Sequence, residues 1–351
     1  MQIGCLWICG KDFYQNFNHF SEIDSVIALS YTREDTQFME ENKEISALFH
    51  LIDDPDEEVF NVVSTRIIDF GKGIIPNLEH LWENTVSEDV QERIELLIHR
   101  LHYRDLTEET VQWGRNLHQD LLTGALLVAR FQYPDLATAT IYQEIEKLRR
   151  NIWLELNNYL TPLEQVNVLT SILYNYYNLR GTEIGYATPE EFLINKQLET
   201  KRGNAIANGI LYLIVSELLD VPVRAINIPR QFVLGYFKPE YDFTRHTENP
   251  LYKTEFFIDP MSGQVFTHKD VDNYFKRINV PPVASYFKPL SNKTVIRMLL
   301  EEFSKCFDND KQRYKQQELM ALAAILDTPD PEEEDDQDPD APPGTGEDPA
   351  A

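Results

Sequence analysis

Apolar residues recur at helical spacing over most of the chain and change to a strand-like pattern only in one central stretch. Residues 45–71 predict two helices joined by a tight turn. Asp54 is placed to cap the second helix, with Pro55 at its first position and Glu57 three residues after the cap. The apolar face predicted for this second helix consists of Val59, Val62, Val63, Ile67 and Phe70.

The pattern of this helix recurs after 31 residues. Val59, Val63 and Ile67 correspond to Val90, Ile94 and Ile98. A period of this length made of helix pairs predicts a short solenoid over residues 39–114, similar to HEAT-type repeats. An ordinary helical bundle is the alternative that two repeats leave open.

Helical spacing continues through residues 115–200, with a break before Pro134, since a proline disfavours helix at the preceding residue. The last helix of this stretch carries three tyrosines, Tyr174, Tyr176 and Tyr177. Such clusters usually lie in a core or an interface, and we prefer that interpretation to a ligand-binding role.

Residues 201–290 have a different character. A strongly apolar helix over residues 203–219 is followed by the stretches VRAINI, QFVLGYF and TEFFIDP, which are rich in Phe, Val and Ile. These stretches predict antiparallel strands that pack on the helix. Residues 291–326 return to helical spacing. The chain is therefore predicted to be an α+β protein with an all-α N-terminal region.

The net charge of −26 is unevenly distributed. Residues 327–351 contain 11 acidic residues and no Lys or Arg, and we expect this Pro-rich tail to be disordered. The remaining 326 residues still carry −15, which argues against nucleic acid or an anionic membrane as a partner. Residues 1–38 form an uncertain leader, because Met39 directly precedes the first clear helix; whether they belong to the native protein stays open.

Three scattered cysteines, Cys5, Cys9 and Cys306, do not form a disulfide framework, and they favour a cytoplasmic location. Cys306 has helical spacing from apolar neighbours and is interpreted as a packing residue. Surface exposure is the simpler interpretation of His246. The sequence contains no P-loop, no H-E-x-x-H and no G-x-S-x-G motif, so no cofactor and no metal are predicted.

An ordered series of motifs resembles the SirB-type branch of the transglutaminase-like superfamily. The matching residues are Arg202, Gly203, Asn204, Ile206, LYL at 211–213, Pro222, Val223, Asn227, Pro229, Phe232, Ile258, Asp259, Pro260 and Gly263. The resemblance covers roughly residues 115–315 and implies a papain-like core. Elsewhere in the superfamily this core carries a Cys–His–Asp triad, in which a cysteine at a helix N-terminus is activated by a histidine that the Asp orients. The SirB-type branch itself commonly has Pro at the cysteine position and keeps the histidine.

Two of the three triad positions differ here. The cysteine falls at or next to Ala205, the histidine at Gln231 and the aspartate at Asp259. Ala205 has no nucleophilic atom, and the Gln231 amide has no proton to transfer near neutral pH. The sequence also has PRQF at 229–232 where the branch has PGHF, so both the Gly and the His are replaced.

The sequence thus favours a non-catalytic protein that binds or scaffolds a protein or peptide partner. Arg202, Asn204, Gln231, Tyr236 and Asp259 are the predicted binding residues. One alternative is a hydrolase or acyl transferase with a non-standard site built on Asp259, Asn204 and Tyr236. Another is a regulatory or chaperone-like subunit whose acidic tail competes for basic partners. The oligomeric state, the ligand and the pathway are not predicted.

Overall fold

The computed structural model describes residues 43–238 and 253–327. The predicted leader, the acidic tail after Asp327, Cys5, Cys9 and His246 lie outside these residues. The chain divides into two compact units, Met1–Tyr103 and Arg104–Ala351, and each is described by itself.

The first unit is helical. Residues 43–50 are helical and are followed by α1 (Glu57–Asp69), α2 (Ile75–Asn84) and α3 (Glu88–Arg115), which continues past the division between the units. The predicted helix pairs are therefore present in this unit, and their HEAT-like arrangement stays a prediction. The core side chains of the unit include Ile52, Phe60, Val63, Ile67, Leu78, Ile94 and Leu97.

Two details predicted for α1 are wrong. The cap is Asp56, whose Oδ1 accepts the Glu58 N–H at 2.8 Å, whereas Asp54 lies in the preceding turn and accepts the Asp56 N–H. Val62 is 71% exposed, and Phe60 is buried instead. Phe60 lies seven residues, or about two turns, before the buried Ile67, which puts both on one face of the helix.

The second unit contains most of the helices. After α3 they are α4 (Leu121–Gln132), α5 (Thr138–Glu155), α6 (Pro162–Thr170), α7 (Ile194–Thr200), α8 (Ala205–Glu217), α9 (His268–Ile278), α10 (Asn292–Ser304) and α11 (Arg313–Ile325). A π-helical turn, Ser171–Tyr176, continues α6. None of the helices in the described part of the chain is long and apolar enough to cross a membrane.

The strands form two sheets. The four-stranded antiparallel sheet has the order β3 (Val223–Ile228), β4 (Gln231–Phe237), β5 (Thr254–Ile258) and β6 (Val265–Phe266). A separate pair of two-residue strands, β1 (Arg180–Gly181) and β2 (Arg202–Gly203), is parallel. The predicted α+β fold is confirmed, including the three antiparallel strands read from the sequence.

Helix α8 is the central element of the second unit. Every residue from Ile206 to Ser216 is buried, as expected for a helix that is apolar on all sides. It contacts β3 and β4 on one side and α4, α7 and α10 on others. The opposite face of the sheet packs on α9 through a second cluster that includes Ile226, Val233, Phe237, Phe257, Phe275 and Phe287.

Candidate functional site

The N-terminus of α8 lies where the resemblance places the nucleophile. Asn204 caps the helix, with its Oδ1 accepting the Ile206 and Ala207 N–H groups, both at 3.0 Å. Its Nδ2 is shielded from water and has no hydrogen-bond partner among the described residues. Ala205, the first helical residue, is partly exposed and presents only a methyl group.

A buried polar network fixes the turn that enters α8. Gln197 Nε2 donates to Asn208 Oδ1 at 2.7 Å, and Asn208 Nδ2 donates to the Arg180 carbonyl at 3.4 Å. A Cβ on Gly203 would lie 2.6 Å from Asn208 Oδ1, so only glycine fits there. The position of the helix start is therefore set by side chains that have no part in the triad.

The ends of β4 and β5 approach α8 one turn after Ala205. A Cβ on Gly209 would lie 2.5 Å from Phe232 Cε1 and 3.4 Å from Pro260 Cβ. The missing side chain at Gly209 thus allows both strands to close on the helix. Since Phe232 and Pro260 each adjoin a triad position, the three chain segments that carry the triad positions meet here.

Gln231 begins β4 directly after the two-residue hairpin turn Pro229–Arg230 and is exposed. Successive side chains of a strand lie on opposite faces, and Phe232 is the one that contacts α8. The Gln231 amide therefore lies on the face of β4 away from the helix. Arg230 has φ +64°, in the left-handed region that glycine adopts without strain, where the branch has the Gly of PGHF.

Asp259 lies in the turn between β5 and β6, and both of its carboxylate oxygens are bonded within that turn. Its Oδ1 accepts the Met261 N–H at 2.9 Å, and its Oδ2 accepts the Ser262 hydroxyl at 2.7 Å. The Tyr174 hydroxyl donates to the Pro260 carbonyl at 2.7 Å and holds the turn against the π-helical segment. Burial raises the pKa of Tyr174 well above its usual value, so this hydroxyl stays protonated.

Of the two remaining predicted binding residues, Tyr236 is buried and Arg202 is exposed. Tyr236 is 2% exposed, donates from its hydroxyl to Gln165 Oε1 at 2.9 Å and stacks on Phe256. Burial raises the pKa of this tyrosine. Arg202 is exposed in β2. Within residues 43–238 and 253–327, no hydrogen bond joins the side chains of the five predicted binding residues to one another, and their binding role stays a prediction.

Comparison with known proteins agrees with this geometry. Residues 139–301 match the family model of the transglutaminase-like superfamily. Protein SirB1 of Salmonella typhimurium is 23% identical over 196 residues, which cover 55% of this chain and 68% of that relative. UPF0162 protein YchA of Escherichia coli strain K12 is 22% identical with the same coverage, and a UPF0162 protein of Xylella fastidiosa is 29% identical over 119 residues, which cover 32% of this chain and 41% of the relative.

Residues 139–301 therefore form a transglutaminase-like domain, called the SirB-type domain for its similarity to SirB1. The matched region includes α8, the antiparallel sheet and the turn that carries Asp259. No solved structure matches the chain.

One residue of the SirB-type domain was missed by the reasoning from sequence. Arg180 in β1 is the register partner of Arg202 in β2, and both side chains are exposed. The available signal was the dipeptide Arg-Gly, which occurs at 180–181 and again at 202–203. The parallel pairing of these two dipeptides puts two guanidinium groups directly before the start of α8.

Cys306, and the His268 imidazole near the sheet, both lie in structural positions. Cys306 is partly buried in a short turn after α10, where burial raises the pKa of its thiol to about 12. His268 begins α9, and its ring contacts the Phe257 ring edge-on at 5.2 Å between centroids. In the described ranges, no group of three or more His, Cys, Asp or Glu side chains is arranged to hold a metal ion.

A cleft of about 690 Å³ lies on the SirB-type domain between residues 132–144 and α7. Its walls are mostly apolar, and neither Ala205, Gln231 nor Asp259 lines it. The shielded oxygens Gln132 Oε1 and Asn195 Oδ1 belong to residues of this cleft and accept no hydrogen bond from the described part of the chain. This cleft is thus separate from the three predicted triad positions.

Proposed function

We propose that this chain is a non-catalytic transglutaminase-like protein that binds a protein or peptide partner. The observation that carries the proposal is Ala205 at the N-terminus of α8. A helix N-terminus favours a thiolate through its dipole, and an alanine methyl gives that dipole nothing to activate. Gln231 adds a second defect, because its amide cannot act as the general base.

The rival enzyme would use Asp259, Asn204 and Tyr236, and the hydrogen bonds of these residues argue against it. Both Asp259 oxygens hold the turn, the Asn204 oxygen caps α8, and the Tyr236 hydroxyl donates to Gln165. A general base has to be within hydrogen-bond reach of the proton that it removes. These hydrogen bonds give each of the three residues a structural role that needs no reaction to explain it.

Cys306 is an equally poor replacement for the missing nucleophile. The thiolate is the reactive form of cysteine, and a pKa of about 12 leaves only about one thiol in 10⁵ ionised at pH 7. The proposed function therefore needs no reacting group. We propose that the partner binds at the surface formed by the start of α8 and the hairpin at Arg230, where Ala205 is partly exposed and Arg230 is exposed.

A restored thiol tests whether position 205 retains the geometry of the superfamily. In a background with all three cysteines replaced by serine, Ala205→Cys is expected to react with iodoacetamide at pH 6–7 several-fold faster than free cysteine, because the helix N-terminus lowers its pKa. Ala321→Cys, at an exposed position inside α11, is the matched control and should react like free cysteine. Equal rates for the two variants would contradict the assignment of position 205.

The binding role needs its own experiment. Affinity capture from the native host with the wild-type chain is expected to retain a partner that is lost with Ala205→Trp, which fills the start of α8. Ala321→Trp is the control for a bulky substitution elsewhere. A partner retained equally by both variants would place binding outside this surface, and capture of no partner would argue against the proposed function.

A further inference from the structure

Two exposed arginines, Arg180 and Arg202, are held side by side. The parallel pairing of β1 with β2 places Arg180 opposite Arg202, and neighbouring strands lie about 4.8 Å apart. Neither guanidinium makes an ion pair with any residue in 43–238 or 253–327. Like charges directly opposite each other destabilise a sheet, so the folding of this chain gains nothing from this pair.

The backbone turns both arginines toward solvent. In each strand the neighbouring glycine faces the opposite way, since alternate side chains lie on opposite faces. A Cβ on Gly181 would lie 2.5 Å from the Met261 carbonyl oxygen, and one on Gly203 would lie 2.6 Å from Asn208 Oδ1. The glycine face is therefore closed against the protein, and the arginine face is the open one.

The start of α8 adds positive electrostatic potential beside the two arginines. Asn204 and Ala205 lie two and three residues after Arg202, and a helix N-terminus carries roughly half a positive charge. The Ala205 N–H makes no hydrogen bond to any described residue, and Asn204 Nδ2 has no partner there either. Two exposed guanidinium groups thus lie near the partly exposed Ala205, and together they favour a ligand that supplies negatively charged acceptors.

We propose that Arg180 and Arg202 bind neighbouring carboxylates of an acidic peptide segment. This inference rests on the proposed function and specifies the chemistry of its partner. Each guanidinium fork matches one carboxylate in a two-bond geometry. A nucleic acid fits poorly, because residues 1–326 carry −15 and two arginines do not make a basic track along a phosphate backbone.

The acidic segment has two sources, another protein or this chain itself. Residues 327–351 carry 11 acidic side chains and no basic one. A tethered segment binds at a high effective concentration, so this tail competes with an added peptide whenever it reaches the site.

The experiment uses a fluorescent peptide with the sequence PDPEEEDDQDPD, residues 329–340, added to the full-length chain at low salt. The anisotropy is expected to rise on binding, and replacing both arginines by glutamine should weaken binding at least about 10-fold. The double variant Arg150→Gln with Arg313→Gln is the matched control, because it removes two exposed charges elsewhere in the same unit. It should change the affinity less than about twofold.

Further variants distinguish the effect of positive charge from that of the guanidinium geometry, and they identify which protein supplies the acidic segment. Lysine at both positions keeps the charge but loses the fork, so intermediate affinity is expected. Tighter peptide binding by a full-length chain whose acidic residues after Asp327 are replaced by Asn and Gln would assign the site to the tail. Unchanged binding would assign it to another protein, and both results support a carboxylate site.

No peptide binding by the chain with the neutralised tail, or equal binding by that chain with and without the two arginines, would overturn the inference. Neither result would affect the proposed function, which fails separately if the wild-type protein turns over a substrate. The melting temperature of the double-glutamine variant is expected to equal or exceed that of the wild type, since like charges are removed. A folding defect is thereby distinguishable from loss of the site.

Discussion

The turn after β5 and the hairpin before β4 both carry predicted triad positions, yet the two predicted residues lie in opposite structural settings. The turn keeps Asp259, whose carboxylate accepts two hydrogen bonds inside it. The hairpin has exchanged the Gly and His of the branch for Arg230 and Gln231, and Gln231 is exposed on the face of β4 away from α8.

This difference shows that a retained triad residue is not evidence of retained chemistry. The two hydrogen bonds of Asp259 within the turn give its presence in the sequence a sufficient structural reason, whether or not a reaction takes place. The side chains of Ala205 and Gln231 make no hydrogen bonds within the described residues that would compare with those of Asp259. A nucleophile or a general base at these two positions would therefore serve the reaction alone. If this comparison is correct, substitutions in the turn should lower stability and substitutions in the hairpin should not.

The largest effect is expected at Gly263, which closes the turn. Its φ is +72°, and an added Cβ would lie 2.4 Å from Thr170 Cγ2. Gly263→Ala should lower the free energy of unfolding by about 2–5 kcal/mol, combining left-handed strain with overpacking. Chemical denaturation measures this loss.

Gly185→Ala is the control for this substitution, because the nearest atom to its added Cβ is 3.9 Å away and its φ is not in the left-handed region. It should change stability by less than about 1 kcal/mol. Similar losses for the two variants would show that the turn is not built as described.

A smaller effect is expected at Asp259 itself. Asp259→Ala removes both side-chain hydrogen bonds of the turn and should cost about 1–3 kcal/mol in chemical denaturation. Asp259→Asn keeps an oxygen for the Met261 N–H and should lose less than half as much. If alanine were tolerated as well as asparagine, the structural explanation for the retained aspartate would be wrong.

The smallest change in the free energy of unfolding is expected in the hairpin, where the substitution should stabilise the protein. Arg230→Gly removes a left-handed non-glycine residue and should raise the free energy of unfolding by up to about 1 kcal/mol, less the extra entropy of an unfolded glycine. Gln231→His, at an exposed position, should stay within about 0.5 kcal/mol of the wild type. A clear loss of stability in Arg230→Gly would indicate that the arginine side chain holds the hairpin.

The regular elements of the SirB-type domain were predictable, because long periodic stretches determine them. The apolar run 205–216 has no charged residue, so burial of α8 on all sides follows from composition. The strands β3 to β5 follow from their Phe, Val and Ile content. The cap of α1 was misplaced by two residues, since Asp54 and Asp56 are both suitable caps and only the local backbone decides between them.

The candidate site was less predictable, because it depends on register and on side-chain direction. Strands of two residues have no hydrophobic period, so the pairing of Arg180 with Arg202 has no signal beyond the repeated dipeptide. The sequence placed Gln231 at a triad position without indicating that Phe232, its neighbour, is the residue that contacts α8. The role of Asp259 in the turn likewise depends on contacts with Met261 and Ser262 that only the folded chain defines.

The most direct test of the central claim is an assay for amine release from glutamine and peptide-amide substrates by the purified wild-type chain. A variant with Cys5, Cys9 and Cys306 replaced by serine is assayed beside it. No release above the protein-free blank is expected from either protein, since position 205 supplies no nucleophile and Gln231 no general base. Release by the wild type would contradict the non-catalytic assignment, and release by the serine variant as well would favour the enzyme built on Asp259.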